Sequence, residues 1–284
     1  MSVQMQAAKR RIRSITATEK ITSAMEMVAV TKLKIWEYRL MQNQQYRAML
    51  DKILADLLLG VNAEDSRFLH APNGATKTFH VVFASDMGLC GSYNNTILSY
   101  ANERILAGDT VLAVGKRSKR YFVRRADIDV KNQFVEAGGS IKMATVLPLE
   151  RTLETAFFSG EYQSVVFHFN QYINSFETRA TSFTLFPLGG LDKKGRKNVN
   201  EPIGPVIEPD KKVFLDRFIP LYLQNVIYFT LMSAQVSEQS TRRMAMKQAT
   251  DNANDLLDEL NIKYNMARQA AITQEISELV SGSL

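Results

Sequence analysis

The sequence predicts an α/β insert carried between two long terminal helices that pair as an antiparallel coiled coil. The 61 residues from Leu221 to Ser281 contain neither proline nor glycine and are rich in Ala, Leu, Met, Gln, Glu and Lys, the residues that cost least in a helix interior. At about 1.5 Å per residue that stretch makes a helix of roughly 90 Å, too long to bury one face in a compact core. Met1 to Leu59 is likewise free of both breakers, while all seven prolines and thirteen of the fourteen glycines fall between Gly60 and Pro220. The chain therefore divides into a helix over 1–59, a globular α/β domain over 60–210 and a helix over 211–284 that pairs with the first.

Taken in order, Ile21, Met25 and Val28 form an apolar face at spacings of four and three, a coiled-coil seam that Trp36, Leu40, Leu50, Ile53, Leu54 and Leu57 thicken before Gly60 ends the helix. Thr78–Ser85 is a continuous β-branched and aromatic run, as a buried central strand requires. The loop DMGLCGSYN and a helix from Thr96 to Leu106 follow it. Strands at Thr110–Gly115, Ile128–Val130 and Ser164–Asn170 alternate with a basic helix KRSKRYFVRR and a helix at Leu147–Phe158. A last run through Phe183, Leu185 and Phe186 closes the domain. Alternating strands and helices imply a Rossmann-like, mainly parallel sheet covered by helices. Residues 189–209 are loop, and Pro220 is expected to break or kink the segment from Lys211 before the long helix proper. In that helix Ala249, Ala253, Leu256, Leu260, Tyr264, Ala267 and Ala271 make the second seam. The basic turn Lys9–Arg13 is expected to weaken pairing, so that the apolar last turns of the C-terminal helix (Ile272, Ile276, Leu279, Val280) project single.

Composition excludes several functions. No apolar run reaches the eighteen or so residues of a membrane span, and the basic start MSVQMQAAKRRIRS lacks the apolar segment of a secretory signal. One cysteine allows no internal disulfide and fits a reducing compartment. Of the net charge of +6, residues 1–59 carry ten Lys/Arg against five Asp/Glu, and residues 221–284 five against seven. Those basic residues are not interleaved with aromatics or attached to a reading motif, so nucleic acid is not expected as a partner.

No chemistry emerges from the insert. Gly88 and Gly91 stand where a dinucleotide enzyme holds a pyrophosphate, but the loop is not GxGxxG and no GxxxxGK[ST] occurs. The two glycines are read as a tight turn with close backbone packing. His70, His80 and His168 show no paired ligand spacing, so no zinc site is expected. Cys90 reads as a buried small hydrophobe, and Lys116, Arg117, Lys119, Arg120, Arg124 and Arg125 as a solvated basic face, the alternative being contact with an acidic subunit. No catalytic residue, cofactor or metal is assigned, and the isolated chain is expected neither to bind nor to hydrolyse ATP.

Three stretches together resemble one family, the gamma subunit or central rotor shaft of the rotary ATP synthase. They are IRSITATEKITSAMEMVAVTKL, similar to a family core KIT-x-AM-x-MVA-x-x-KL; SDMGLCGSYN, similar to SDRGLCGGYN; and SEQSTRRMAMKQATDNAN with YNMARQAAITQEISELVSG. Met87, Ser92 and Ser283 depart from the usual Arg, Gly and Ala. The resemblance implies a non-catalytic central-stalk subunit that couples ion flow through a membrane c-ring to ATP chemistry on alpha and beta subunits, which bind the ATP, ADP and Mg themselves. It implies an epsilon-type partner, no homo-oligomer, and a peripheral place on the cytoplasmic face of a bacterial membrane. By the same resemblance Met25, Arg268, Gln269, Thr273, Glu275 and Glu278 contact the beta-subunit loop and ring bearing, and Lys9, Arg10 and Arg11 form a basic face toward the ring. A regulatory cysteine-pair insertion is absent. A paralogous shaft of a dedicated ATP-hydrolysing machine is the alternative; a coiled-coil scaffold would need a self-complementary seam, and an α/β enzyme a ligand cradle.

Overall fold

The computed structural model describes residues 3–58, 66–133, 141–188, 208 and 211–281. Two helices frame the rest: α1 (Val3–Leu58) and α5 (Lys211–Ser281). The chain divides into two compact units, Met1–Thr31 with Arg242–Leu284, and Lys32–Thr241. The expected helix stop Gly60, and the loop over 189–209 apart from Glu208, lie outside the described residues.

Within Lys32–Thr241 the elements between the helices are β1 (Lys77–Phe83), α2 (Tyr93–Asn102), β2 (Thr110–Val114), α3 (Lys116–Phe122), β3 (Asp129–Gln133), α4 (Met143–Phe158), β4 (Tyr162–Tyr172) and β5 (Thr178–Phe186). They form one five-stranded sheet in the order β3-β2-β1-β4-β5. The first four strands are parallel, and β5 returns antiparallel against β4. This is the mainly parallel sheet the sequence predicts. Strand alternation sends Phe79, Val81, Phe83, Val165 and Phe167 to one face, where they meet α4 and the inner stretches of α1 and α5. Val82, Ala84 and Val111 point the other way onto Ile97 and Ala101 of α2 and Phe122 of α3. Because both faces are covered, β1 reads as an unbroken apolar run.

Pro220 is the clearest departure from expectation, since α5 runs through it from Lys211 without a break. A proline removes one main-chain hydrogen bond and crowds the preceding turn. Here Leu215, Phe218, Ile219, Leu223, Val226 and Ile227 around it are all buried in the main core, and this packing holds the helix continuous. The helix α4 likewise begins four residues before the expected Leu147 and takes Pro148 into its second turn.

In the other unit α1 and α5 pair along a regular seam, with the Thr22 and Thr250 hydroxyls hydrogen-bonded at 2.8 Å. The seam is offset from the expected one. Ile21 and Val28 stand 60% and 55% exposed, while their neighbours Thr22 and Ala29 are buried. On α5, Ala253 is buried and Leu257, Leu260, Tyr264, Ala267 and Ala271 are half-buried, whereas Leu256 is exposed. Ala253-Leu257-Leu260-Tyr264-Ala267-Ala271 is a strict four-three alternation, the heptad pattern of a two-stranded seam.

Candidate functional site

From Thr230 to Arg242, α5 is buried on every side. Its small polar residues Ser233, Ser237 and Ser240 recur at spacings of four and three, so they share one face. That face is bonded to the main chain of the sheet. The Tyr172 N–H donates to Ser233 Oγ at 3.2 Å, Ser237 Oγ donates to Asn170 O at 2.8 Å, and Ser240 Oγ donates to Ser175 O at 2.9 Å. Asn170 in turn donates from Nδ2 to Tyr93 O at 2.9 Å, and the Tyr93 hydroxyl donates to Ala234 O at 3.1 Å. Two stretches singled out in the sequence, SDMGLCGSYN and SEQST, thus meet in one clamp. Small side chains let the helix backbone approach the sheet, and the hydroxyls satisfy carbonyls that burial would otherwise leave unpaired.

The inner stretch of α1 is bonded to α5 and to β4. Arg47 donates from Nε to Asp51 Oδ1 at 2.8 Å and from Nη2 to the Tyr222 hydroxyl at 3.1 Å; that hydroxyl donates to Asp51 Oδ1 at 3.0 Å. Burial, reinforced by Asp51, pushes the Tyr222 phenol well above its ordinary range, so it stays a neutral donor. The Tyr172 hydroxyl lies 2.7 Å from Glu37 Oε1.

The loop after β1 is held by its own polar groups. Asn94 Oδ1 accepts the Ser85 N–H at 3.0 Å, and Asn94 Nδ2 donates to Cys90 Sγ at 3.1 Å. Gly91 takes a positive φ of 55°, as expected for a tight turn, and Leu89 does so at 61° without being a glycine. Cys90 is buried here as a small packing group.

Behind the loop, β1 and β4 bring together two histidines that sequence spacing keeps apart. His80 Nδ1 lies 2.8 Å from His168 Nε2, and His80 Nε2 lies 3.1 Å from Asp109 Oδ2. Asp109 also accepts the Thr78 and Leu106 N–H groups at 2.9 Å, so its carboxylate is fully engaged. With His80 Nε2 donating to Asp109, His80 Nδ1 is the acceptor and His168 Nε2–H the donor. His168 Nδ1 then remains a buried acceptor with no partner among the described residues. Burial pushes both imidazoles down, His168 to about 3 with the neighbouring His80 and Arg104 charges adding to the effect; Asp109 partly opposes the shift at His80. The rings bond to one another and to a carboxylate in series, an arrangement that braces three strands.

At the far end of α5 the Thr22–Thr250 contact sets the register. Nineteen residues further along each helix, Val3 of α1 comes level with about Gln269. The turns after it have no described partner helix, and Ile272, Ile276, Leu279 and Val280 are all exposed, Leu279 by 74%. Pairing persists to Met5, which is buried, rather than fading at Lys9–Arg13. Lys9, Arg10, Arg11 and Arg13 occupy positions off the seam between Ala8, Ile12 and Ile15, so their charge does not oppose it. Met25 is half-buried beside the seam; Arg268, Gln269 and Thr273 are exposed at the start of the single turns, with Thr273 Oγ1 donating to Gln269 O at 3.0 Å. Glu275 and Glu278 lie on α5, and their side chains fall outside the described residues.

A mainly parallel sheet clamped to the buried stretch of α5, and in the other unit a two-helix seam of α1 and α5, define an α/β protein with a coiled-coil helix pair. Comparison with known proteins specifies which. A family profile described as ATP synthase matches residues 4–284. The chain is 31% identical over 285 residues to the ATP synthase gamma chain of Heliobacterium modesticaldum, covering 98% of each. It is 33% identical over 278 residues to that of Clostridium perfringens, covering 97% of this chain and 95% of the relative. Among solved structures, the rotor of the Euglena gracilis mitochondrial ATP synthase matches with a TM-score of 0.70 at 14% identity, covering 94% of this chain and 98% of that one. The central stalk of the Tetrahymena thermophila enzyme matches with a TM-score of 0.58 at 23% identity, covering 81% and 99%. The chain belongs to the ATP synthase gamma-chain family.

Proposed function

We propose that this chain works as a non-catalytic torque shaft, turned by ion flow through a c-ring and acting on the nucleotide sites of alpha and beta subunits. The observation that carries the reading is the continuity of α5: a single helix from Lys211 to Ser281 is bonded to the sheet through Ser233 and Ser237 and carries exposed apolar residues Ile272, Ile276 and Leu279 in its last turns. The rotor, F1 and c-ring assemblies in which similar solved chains occur support the alpha, beta and c-ring partners, and an epsilon-type subunit is proposed beside them from the family resemblance. In this reading ATP, ADP and Mg belong to the partners, and the chain holds no cofactor and no active site of its own. No helix among the described residues is long and apolar enough to cross a membrane, which supports peripheral attachment; we place it on the cytoplasmic face. No observation favours the dedicated hydrolase shaft.

Met25, Arg268, Gln269, Thr273, Glu275 and Glu278 are assigned to the beta-subunit loop and the bearing, and Lys9, Arg10 and Arg11 to a basic face toward the ring. Exposed Arg268 and Gln269 can make transient polar bonds at each step, worth about 1.5–3 kcal/mol where charge-assisted. Replacing both by Leu is expected to slow ATPase turnover of the reconstituted complex by about tenfold or more with subunit stoichiometry intact. Deleting Ile276–Leu284 is expected to weaken assembly instead. Unchanged turnover of a fully assembled double variant would refute the contact, and ATP hydrolysis by the purified chain alone would refute the non-catalytic reading.

A further inference from the structure

The basic run Lys116–Arg125 takes part in neither the clamp nor the tip. Arg117, Arg120 and Arg124 follow one another at spacings of three and four, which brings three guanidinium groups to one side of α3 and the turn after it. They line a cavity of about 340 Å³ together with the loop after β1, Asn94, Asn95 and Leu98 of α2, and Tyr121. No carboxylate among the described residues lines this cavity. The four other cavities described each contain at least one, from Glu161, Glu154, Glu37 or Asp51. Next along the chain, Arg125 is neutralised by Asp127 at 2.5 Å and held by Asn102 at 3.1 Å. Arg117, Arg120 and Arg124 form no ion pair among the described residues. Gly88 takes part in this arrangement: a Cβ there would lie 2.6 Å from Arg117 Nη2 and push that guanidinium aside. Like charges three and four residues apart on a helix repel, and an anion in the cleft would relieve the repulsion.

We propose that the cleft between α2 and α3 binds an oligophosphate anion through Arg117, Arg120 and Arg124. Planar guanidinium forks match phosphate oxygens in pairs, which lysine does not do. Side-chain forks are a different device from the backbone phosphate loop that the sequence lacks, so this site departs from the expectation that the isolated chain binds no nucleotide. The phosphate groups have two possible sources, a free oligophosphate or the tail of a nucleotide whose base stacks on exposed Tyr121. Binding involves no bond cleavage, so the non-catalytic reading stands or falls separately, on hydrolysis.

Titration calorimetry on the full chain at low ionic strength, with tripolyphosphate and with metal-free ATP, tests the proposal. Saturable one-to-one binding is expected, weakened at least about tenfold in the Arg120→Gln/Arg124→Gln variant. The Arg120→Lys/Arg124→Lys variant, which keeps the charge but loses the forks, should fall between the two and guards against a folding defect in the first. Equal affinity for ATP and tripolyphosphate assigns the site to free oligophosphate. Tighter ATP binding that Tyr121→Ala abolishes assigns it to a nucleotide. Absence of saturable binding at millimolar ligand, or undiminished binding in a folded glutamine variant, overturns the proposal.

Discussion

At Gly115 the turn from β2 into α3 admits no side chain. Its φ is 90°, and a Cβ would stand 2.1 Å from the Ala84 carbonyl oxygen, which is backbone and cannot swing away. Strain at positive φ and the clash add, so Gly115→Ala is expected to cost about 3 kcal/mol, read as a lower urea midpoint at unchanged slope. The buried Asp109–His80–His168 series sets a pH dependence at the same scale. The ordinary imidazole value of 6.5 applies when the chain is unfolded, and His168 folds at about 3. Below pH 6.5 the unfolded state therefore binds the extra proton, and stability falls as pH falls toward 3, by about 1.4 kcal/mol per unit for that one group. Above that range the contribution is complete and flat. Urea titrations from pH 7.5 to 5 should show this slope, and His168→Gln should remove most of it; equal slopes in the two proteins would contradict the account. None of this was legible in the sequence, because His80 and His168 lie 88 positions apart and meet only through the register of β1 against β4. Gly88 and Gly91 were legible as turn residues, since glycine at a strand end has a local cause.

For single elements, the two terminal helices follow from the partition of glycine and proline, and the strands from their β-branched and aromatic runs, signals that need no tertiary knowledge. The phase of the seam does not follow. Both Ala253-Leu256-Leu260 and Ala253-Leu257-Leu260 satisfy spacings of three and four, and only a partner helix decides between them. The partner selects Leu257, just as it selects Thr22 over Ile21. Leu257→Ala is accordingly expected to cost about 1–2 kcal/mol and Leu256→Ala less than about 0.5, compared by thermal unfolding of the two variants. A larger loss at Leu256 would mean that the seam runs along the other phase. At Thr22 and Thr250 the paired hydroxyls predict a different signature. Either single Val substitution removes the same cross-helix bond and leaves the other hydroxyl bonded only to its own helix, at Glu19 O for Thr22 or Met246 O for Thr250, so the double should cost less than the sum of the two singles.

Across the whole molecule, helical residues of one element occupy very different surroundings. From Val226 to Arg242, α5 is mostly buried and its serines are bonded to β4 and the turn after it, while from Ile272 onward its described side chains are exposed. The family motif thus spends its small polar residues on fixation to the sheet and carries exposed apolar residues near its end, the division of labour that the proposed shaft role would use. Local opening of a helix costs the contacts it breaks, so one continuous helix should not exchange its amide hydrogens uniformly. In the isolated chain, protection should be highest over residues 226–242, intermediate over the paired stretch 246–267, and close to that of a free helix over 272–281. Exchange followed by mass spectrometry resolves these three segments. On assembly with its partners the last segment should gain protection more than the first, because only the first is already covered. Strong protection of the last segment in the isolated chain would mean that the tip is covered by something within the chain itself, and the bearing role assigned to it would then have no surface to act through.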